Sequence, residues 1–325
     1  MLSTTIDKYV YISCRYLPPF FEHRLRLAYS QLEDCQSASE LKHPAARAVL
    51  TSWGINDGVE IHYDGDLPSR SGMGSSSSFT VGLINAVCAY MGKTITERDL
   101  AANAIEIEQV VLGERVGSQD QINAAYGGFN HIQFGTDDDI AVSSVKISKK
   151  RKDKFNENLM LFYTGIVRTA DVIANTYVDD LSSKQTQLNR ISDLTTQAQQ
   201  ILVQDDSLDD LGLLLDESWV EKRTLSVSVS NPKIDSLYER AKKNGALGGK
   251  ITGAGGGGML LLYVRPDDQE KVKNELSELI YIPFKFSDKG SCIIFVDEQQ
   301  RYENEEKWRN NSAPKFVELS KLNPT

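Results

Sequence analysis

A short loop rich in glycine and serine constrains this chain more than any other segment. Residues 68–78 read Pro-Ser-Arg-Ser-Gly-Met-Gly-Ser-Ser-Ser-Ser, and an apolar pattern with steps of three and four residues follows directly. That pattern predicts an amphipathic helix up to about Met91. Gly72 and Gly74 can adopt positive φ, so the backbone can approach an anion, and the amides of such a turn form an anion-binding nest. The segment therefore predicts a phosphate-binding loop in front of a helix N-terminus.

The serines of this loop add two properties. Their side chains can cap the helix, and the positive end of the helix dipole favours a phosphate without any lysine. A serine hydroxyl can also help to hold Mg²⁺, which prefers oxygen ligands. The alternative is a flexible turn, but Pro68 at the entry and the helix that follows at once favour a phosphate site. The loop lacks both the GxxxxGK[ST] pattern and the third glycine of a dinucleotide-binding fingerprint.

A second polar segment comes after a predicted helix over residues 99–112. Glu106 and Glu108 lie about 200° apart around such a helix, so one of them should be exposed. Downstream, residues 117–121 read Gly-Ser-Gln-Asp-Gln. Asp120 follows a glycine-broken helix end and can be directed into a cleft. Taken alone, however, this aspartate is better explained as a turn residue or a helix cap.

A third segment, residues 248–258, contains seven glycines among eleven residues and runs directly into the apolar strand pattern Met-Leu-Leu-Leu-Tyr-Val. Glycine costs about 0.5–1 kcal/mol per residue relative to alanine in regular structure. Such a density predicts a backbone pressed against a ligand or against the first loop. The alternative is a flexible hairpin turn.

These three segments, in this order and at these separations, resemble the GHMP kinase superfamily, which includes galactokinases, homoserine kinases and mevalonate kinases. The first loop is similar to its phosphate-binding motif and the third segment to its C-terminal glycine motif. Other segments resemble the sugar-1-kinases of the heptose 7-phosphate kinase type: residues 117–121, Thr-Gly-Ile-Val-Arg-Thr-Ala at 164–170, and Phe-Lys-Phe-Ser-Asp-Lys-Gly-Ser at 284–291.

The resemblance implies a two-domain α+β fold. Its N-terminal ATP-binding domain, with a ribosomal-protein-like β-α-β arrangement, would span residues 1–153. A ferredoxin-like α+β domain would span residues 154–296, followed by a polar extension over residues 297–325. The charged run at residues 149–154 is interpreted as a solvated linker at the boundary, in preference to a phosphate-binding patch.

The resemblance also implies roles for individual residues. Asp120 matches the catalytic aspartate, and Ser76 and Glu108 match the residues that bind Mg²⁺, which identifies Glu108 as the inward acid. The positions that would wrap the ATP phosphates are Gly72, Gly74, Ser75, Ser76 and Ser77. The positions that would form a supporting substrate or phosphate loop are Gly253, Ala254, Gly255, Gly256 and Arg168.

The implied activity is transfer of a phosphoryl group from ATP, with Mg²⁺, to the anomeric hydroxyl of a sugar, with D-glycero-D-manno-heptose 7-phosphate as the first expectation. A sugar phosphate needs its own cationic anchor, for which the candidates are Arg15, Arg24, Arg26, Arg47 and Arg168. Two alternatives stay open. The sugar could be a hexose such as fucose, galactose or an N-acetylhexosamine, or the chain could be a non-catalytic homologue that binds nucleotide or sugar.

The non-catalytic alternative rests on one departure from the family pattern. Members of the family carry a Gly-Gly-Gly-Thr-Asp segment upstream of the strand that resembles residues 1–10, and this sequence contains no such segment. We therefore expect an exposed edge strand in the N-terminal domain and a deficit of sugar-binding groups.

Composition limits the remaining function classes. The net charge of −9 argues against nucleic acid as the main partner. The four cysteines and four histidines show no metal-ligand spacing, which indicates free thiols in a reducing cytoplasm. The sequence contains no stretch of eighteen apolar residues, so we predict no membrane-spanning helix. We expect a cytoplasmic protein whose partners are ATP and a small sugar, and which forms a homodimer.

Overall fold

Mostly antiparallel sheets, with helices packed on their faces, make up the fold. The computed structural model describes residues 1–18, 21–135, 139–167, 183–204 and 206–297. Within these ranges β4 and β6 form the one parallel strand pair, so the fold is α+β as predicted. Every helix in the same ranges is too short or too polar to span a lipid bilayer.

The first half of the chain comprises β1 (Leu2–Ser3), β2 (Thr5–Ile6), β3 (Val10–Tyr16), β4 (Leu25–Ala28), β5 (Leu32–Cys35), α1 (Pro44–Ser52), β6 (Val59–Gly65), α2 (Ser75–Tyr90), α3 (Glu97–Ile105), a π-helix (Glu106–Val111), α4 (Gln119–Tyr126), β7 (Asn130–Phe134) and β8 (Ile140–Ser144). The second half comprises α5 (Lys149–Glu157), β9 (Leu159–Tyr163), α6 (Gln185–Val203), α7 (Asp209–Leu225), α8 (Pro232–Lys243), β10 (Ala246–Ile251), β11 (Met259–Val264), α9 (Gln269–Glu275), β12 (Ile280–Ile282) and β13 (Phe286–Ser287).

The N-terminal core lies between a four-stranded sheet, in the order β3-β6-β4-β5, and helices α1 to α4. α2 packs so closely on β3 that a Cβ on Gly82 would lie 3.0 Å from Ile12 Cδ1. β3 is at the edge of this sheet, and no strand of the described ranges pairs with its outer side. A groove of about 2290 Å³ runs along that side, between α2 and residues 289–297. The edge strand predicted from the sequence is therefore present.

The C-terminal core is built on an antiparallel sheet in the order β10-β11-β9-β12. Helices separate β9 from β10, and α9 separates β11 from β12. This connectivity is the ferredoxin-like β-α-β-β-α-β arrangement, as predicted. The backbone of α7 packs directly on the backbone of β10: a Cβ on Gly248 would lie 1.9 Å from the carbonyl oxygen of Gly212. Glycine is therefore required where this helix meets β10.

The charged run at residues 149–154 is not the solvated linker that the sequence predicts, because it forms most of α5. Its residue Arg151 donates hydrogen bonds to the carbonyl oxygens of Leu202, at 3.0 Å, and Asp206, at 2.7 Å. The run is thus part of the folded structure next to α6. The domain bounds 1–153 and 154–296 stay predictions, and residues 298–325 of the predicted extension lie outside the described residues.

Candidate active site

The predicted phosphate-binding loop is a sharp turn between β6 and α2. Gly72 and Gly74 have φ values of +75° and +68°. Gly74 is the N-cap of α2 and makes no side-chain cap, so the expectation that a serine caps this helix is wrong. The four serines instead form the first turn, in which Ser77 is buried and Ser76 is exposed.

The two glycine-rich loops pack directly against each other. A Cβ on Gly72 would lie 3.1 Å from the carbonyl oxygen of Thr252, and a Cβ on Gly253 would lie 3.0 Å from the carbonyl oxygen of Gly72. A Cβ on Gly258 would lie 2.3 Å from the carbonyl oxygen of Ser71. The interpretation of the third segment as a backbone pressed against the first loop is confirmed. The contact joins the N-terminal phosphate loop to the C-terminal sheet.

Glu108 is buried beneath the first turn of α2. The predicted helix over residues 99–112 changes from α3 to a π-helix at Ile105, and this π-helix carries the glutamate. One oxygen of Glu108, Oε2, accepts hydrogen bonds from Ser77 Oγ, at 2.9 Å, and from Gln121 Nε2, at 2.5 Å. Glu106, two residues earlier, is exposed. The expectation that only one of the two acids points inward is confirmed, and the inward acid is Glu108.

Asp120 lies in the first turn of α4, against the N-cap of α2. A Cβ on Gly74 would lie 3.1 Å from Asp120 Cγ and 3.2 Å from Oδ2. Desolvation, together with the negative charge of Glu108, raises the pKa of Asp120, while a hydrogen bond with Gln119 and the positive charge of Lys222 oppose that shift. This half-buried carboxylate can therefore accept a proton closer to neutral pH than an exposed aspartate.

Two lysines complete the cluster from the C-terminal half of the chain. Lys222, in the last turn of α7, donates a hydrogen bond from Nζ to the carbonyl oxygen of Gly253, at 2.5 Å. Desolvation, and then repulsion from Lys250, lowers the pKa of Lys222 to about 7, against an opposing effect of Asp120. Desolvation also lowers the pKa of Lys250, at the end of β10. Lys222 therefore places a partly desolvated positive charge near Asp120, and Lys250 is a second buried lysine close enough to Lys222 to repel it.

Four buried oxygen atoms of the cluster have no hydrogen-bond partner within the described ranges: Ser71 Oγ, Thr252 Oγ1, Glu108 Oε1 and Gln121 Oε1. Such atoms can be satisfied by a polar ligand. The same ranges contain no group of three or more His, Cys, Asp or Glu residues that could hold a metal ion. A cation at Glu108 would thus take one carboxylate, hydroxyl groups and ligand oxygens, which is how Mg²⁺ is bound beside phosphates.

The structure brings most of the predicted site residues together, with two exceptions. Ser77, not Ser76, contacts Glu108; the carbonyl oxygen of Ser76 accepts a hydrogen bond from Thr80 Oγ1 at 3.2 Å. The metal pair of Ser76 and Glu108 stays a prediction, to which Ser77 is now added. The other exception is Arg168, which lies outside the described residues. The roles of Ser75, Ala254, Gly255 and Gly256 also stay predictions.

No sequence pattern indicates a role for Lys222 or for the Gln121 side chain. Lys222 lies 102 residues after Asp120, in a helix with many charged side chains, where a lysine is usually solvated. Only the packing of the two glycine loops brings it to the site. Gln121 follows Asp120 directly, but no sequence signal shows that its amide faces Glu108.

Two family models match the chain on either side of this site. The model of the GHMP kinases N terminal domain matches residues 40–128, which include the phosphate loop, Glu108 and Asp120. The model of the GHMP kinases C terminal domain matches residues 200–282, which include Lys222 and the second glycine loop. The chain belongs to the GHMP kinases. The two-domain α+β architecture expected for this family is present.

Curated relatives of this GHMP kinase include sugar kinases. The D-glycero-alpha-D-manno-heptose 7-phosphate kinase of Campylobacter jejuni is 32% identical over 208 residues, which is 63% of this chain and 61% of that protein. The L-fucokinase/L-fucose-1-P guanylyltransferase of Bacteroides fragilis is 24% identical over 72% of this chain and 26% of that protein. The matched part of the chain thus spans less than two thirds of the length of either relative.

A solved structure described as a D-glycero-D-manno-heptose 1-phosphate kinase from Bacteroides thetaiotaomicron superposes with a TM-score of 0.70 at 22% identity. It covers 89% of this chain and 88% of its own chain. At this identity the similarity shows a shared fold.

Proposed function

We propose that this GHMP kinase transfers the γ-phosphoryl group of ATP to the anomeric hydroxyl of a sugar. One observation carries the proposal: the Asp120 carboxylate lies against Gly74, at the N-terminus of α2, where the two glycine loops meet. A carboxylate proposed as the proton acceptor thereby lies beside the backbone proposed to bind the phosphates. Phosphoryl transfer requires mainly two things: a correctly positioned acceptor hydroxyl and stabilisation of the negative charge on the phosphates.

The donor side would be formed by the loop and the first turn of α2. Their backbone amides and the helix dipole would stabilise the β- and γ-phosphates of ATP. Glu108, whose Oε1 has no partner in the described ranges, would hold Mg²⁺ together with Ser76, the residue implied by the family, or Ser77, the residue in contact. When bound, the ion would neutralise charge on the phosphate oxygens.

On the acceptor side, Asp120 would accept or orient the proton of the anomeric hydroxyl. A general base works best when its pKa is near the working pH. Desolvation and the charge of Glu108 raise the pKa of Asp120 in that direction.

D-glycero-D-manno-heptose 7-phosphate is the first proposed substrate, because a curated heptose 7-phosphate kinase is among the relatives. A hexose is the second candidate, and one structural observation favours it. Three of the five candidate anchors for the 7-phosphate are paired with carboxylates, in the ion pairs Arg15–Glu60, Arg24–Asp57 and Arg26–Asp34. Of the other two, Arg47 donates a hydrogen bond to the carbonyl oxygen of Leu41 at 2.7 Å, and Arg168 lies outside the described residues. A cytoplasmic location and a homodimer also remain predictions.

The test is a coupled assay of ADP release with Mg-ATP and a panel of sugars: the heptose 7-phosphate, fucose, galactose and N-acetylhexosamines. Phosphorus NMR of the product would identify an anomeric phosphate. Asp120→Asn should lower kcat by about 10²–10⁴-fold, whereas Asp153→Asn, a matched change at an exposed aspartate of α5, should leave it unchanged.

Calorimetry of Mg-ATP and sugar binding distinguishes the proposed kinase from the remaining alternative, a homologue that binds these ligands without catalysis. Binding of Mg-ATP and sugar without turnover of any sugar in the panel would refute the proposed function in favour of a non-catalytic homologue. Full activity in Asp120→Asn would refute only the role of this aspartate.

A further inference from the structure

Lys222 occupies a position that its place on a helix does not explain. A lysine in the last turn of a helix ordinarily extends into solvent and interacts with the helix dipole. The Lys222 side chain instead reaches the second glycine loop, where Nζ donates a hydrogen bond to the carbonyl oxygen of Gly253 at 2.5 Å.

A short series of contacts connects this ammonium group to Asp120. Gly253, which accepts the hydrogen bond from Lys222, packs on Gly72: a Cβ on Gly253 would lie 3.0 Å from the carbonyl oxygen of Gly72. Two residues further along the same loop, Gly74 packs on the Asp120 carboxyl group. Lys222 and Asp120 therefore flank the paired glycine loops from the two halves of the chain.

The charges around Asp120 give this placement a consequence. Glu108, on the π-helix, opposes ionisation of Asp120, and so does desolvation. Among the charged residues coupled to Asp120 within the described ranges, Lys222 is the one cation. Lys250, on β10, repels Lys222 and adds to the desolvation that lowers the pKa of Lys222.

We propose that Lys222 is a positioning residue for the proposed phosphoryl transfer: its ammonium group fixes the second glycine loop and holds the Asp120 carboxylate ionised at the phosphate site. The inference rests on the proposed function. It adds a functional residue from the C-terminal half of the chain to a site whose other predicted acids and serines come from the N-terminal half.

The rival explanation is that Lys222 only tethers the backbone of Gly253. Lys242 on α8 is a matched control, because its Nζ also donates to a backbone carbonyl, that of Leu247 at 2.7 Å, and pairs with Asp216 outside the site. Lys222→Met, Lys222→Arg and Lys242→Met separate the two explanations, and melting temperatures identify any variant that fails to fold.

For Lys222→Met we expect kcat to fall by roughly 10²-fold, with the KM for ATP within about threefold of wild type. Because removal of a nearby cation raises the pKa of a carboxylate, the acid limb of kcat/KM should move to higher pH. Lys222→Arg should retain the wild-type limb and most of kcat. Lys242→Met should change neither kcat nor the limb.

Two outcomes would overturn the proposal. One is a Lys222→Met enzyme with wild-type kcat. The other is a Lys222→Met enzyme with a lower melting temperature but an unchanged acid limb of the kcat/KM profile. If Lys222→Met does not fold, the same result in Lys222→Gln would overturn the proposal. Absence of phosphoryl transfer by the wild-type chain to every sugar tested would instead refute the proposed function, and with it this inference.

Discussion

At the scale of single residues, a comparison of Glu108 with Glu106 can distinguish a role in binding the metal ion from a general effect of negative charge. Glu108 is buried, and one of its oxygens has no hydrogen-bond partner among the residues that the structure describes, whereas Glu106 is exposed on the same π-helix. We predict that Glu108→Gln raises the Mg²⁺ concentration needed for half-maximal activity by about tenfold or more, since a neutral amide is a weaker ligand for this hard cation. Glu106→Gln should behave as wild type.

Initial rates measured across a Mg²⁺ titration at fixed ATP would test this prediction. An unchanged Mg²⁺ requirement in Glu108→Gln would remove this glutamate from the proposed metal site. Parallel titrations of Ser76→Ala and Ser77→Ala would show which hydroxyl belongs with it.

The same substitution makes a prediction about pH. Asp120 must be ionised to act as a base, so activity is lost as pH falls through its pKa, which desolvation and Glu108 raise. Removal of the negative charge in Glu108→Gln lowers that pKa. The acid limb of kcat/KM should therefore move to lower pH, opposite to the shift expected for Lys222→Met. Profiles over pH 4–8, with Glu106→Gln as control, would detect the difference, and a limb that does not move would contradict it.

At the scale of elements, the paired glycine loops can be tested by adding single methyl groups. Gly74 and Gly54 have nearly equal φ values, +68° and +70°, but a Cβ would contact Asp120 at the first position and no described residue within 4 Å at the second. Alanine at either position should cost about 1–2 kcal/mol of unfolding free energy, because both are left-handed. Only Gly74→Ala should also displace Asp120 and lower kcat.

Urea denaturation and the kinase assay on both variants would test this. Equal losses of activity in Gly74→Ala and Gly54→Ala would show that backbone strain, rather than contact with Asp120, controls the loop.

The elements also show what the sequence can predict. The phosphate loop, α2 and β11 follow from local patterns, and the inward direction of Glu108 follows from the resemblance to the family. The π-helix is not predicted, because no local sequence pattern distinguishes a backbone hydrogen bond that spans five residues from one that spans four. The run at 149–154 was misread as a linker because its hydrogen bonds go to carbonyl groups about 50 residues away.

At the scale of the whole molecule, the site joins the two halves of the chain, and this is where sequence reasoning reaches its limit. Lys222 reaches Gly253, and its charge acts on Asp120, because the second glycine loop packs on Gly72. No periodicity or spacing encodes that contact. The structure does show the energetic cost of this contact, because burial of the charged Lys222 side chain makes the folded state less stable.

That cost gives a prediction for the stability of the whole protein. The pKa of Lys222 falls from an ordinary value of 10.5 to about 7 on folding. Below pH 7 the lysine is protonated in both states, so the folded state bears the full cost. Between pH 7 and 10.5 the unfolded chain binds more protons, so this group makes unfolding less favourable by about 1.4 kcal/mol per pH unit. Lys222→Met, which has no such cost, should therefore be more stable than wild type at pH 6, and its advantage should shrink as pH rises to 9.

Urea denaturation of wild type and Lys222→Met at pH 6, 7, 8 and 9 measures this difference directly, because contributions that the two proteins share cancel. Lys242→Met serves as the control: it loses an ion pair with Asp216 and should be less stable than wild type. A difference between wild type and Lys222→Met that stays constant from pH 6 to 9 would show that Lys222 keeps its proton throughout. The cluster would then stabilise this cation rather than destabilise it.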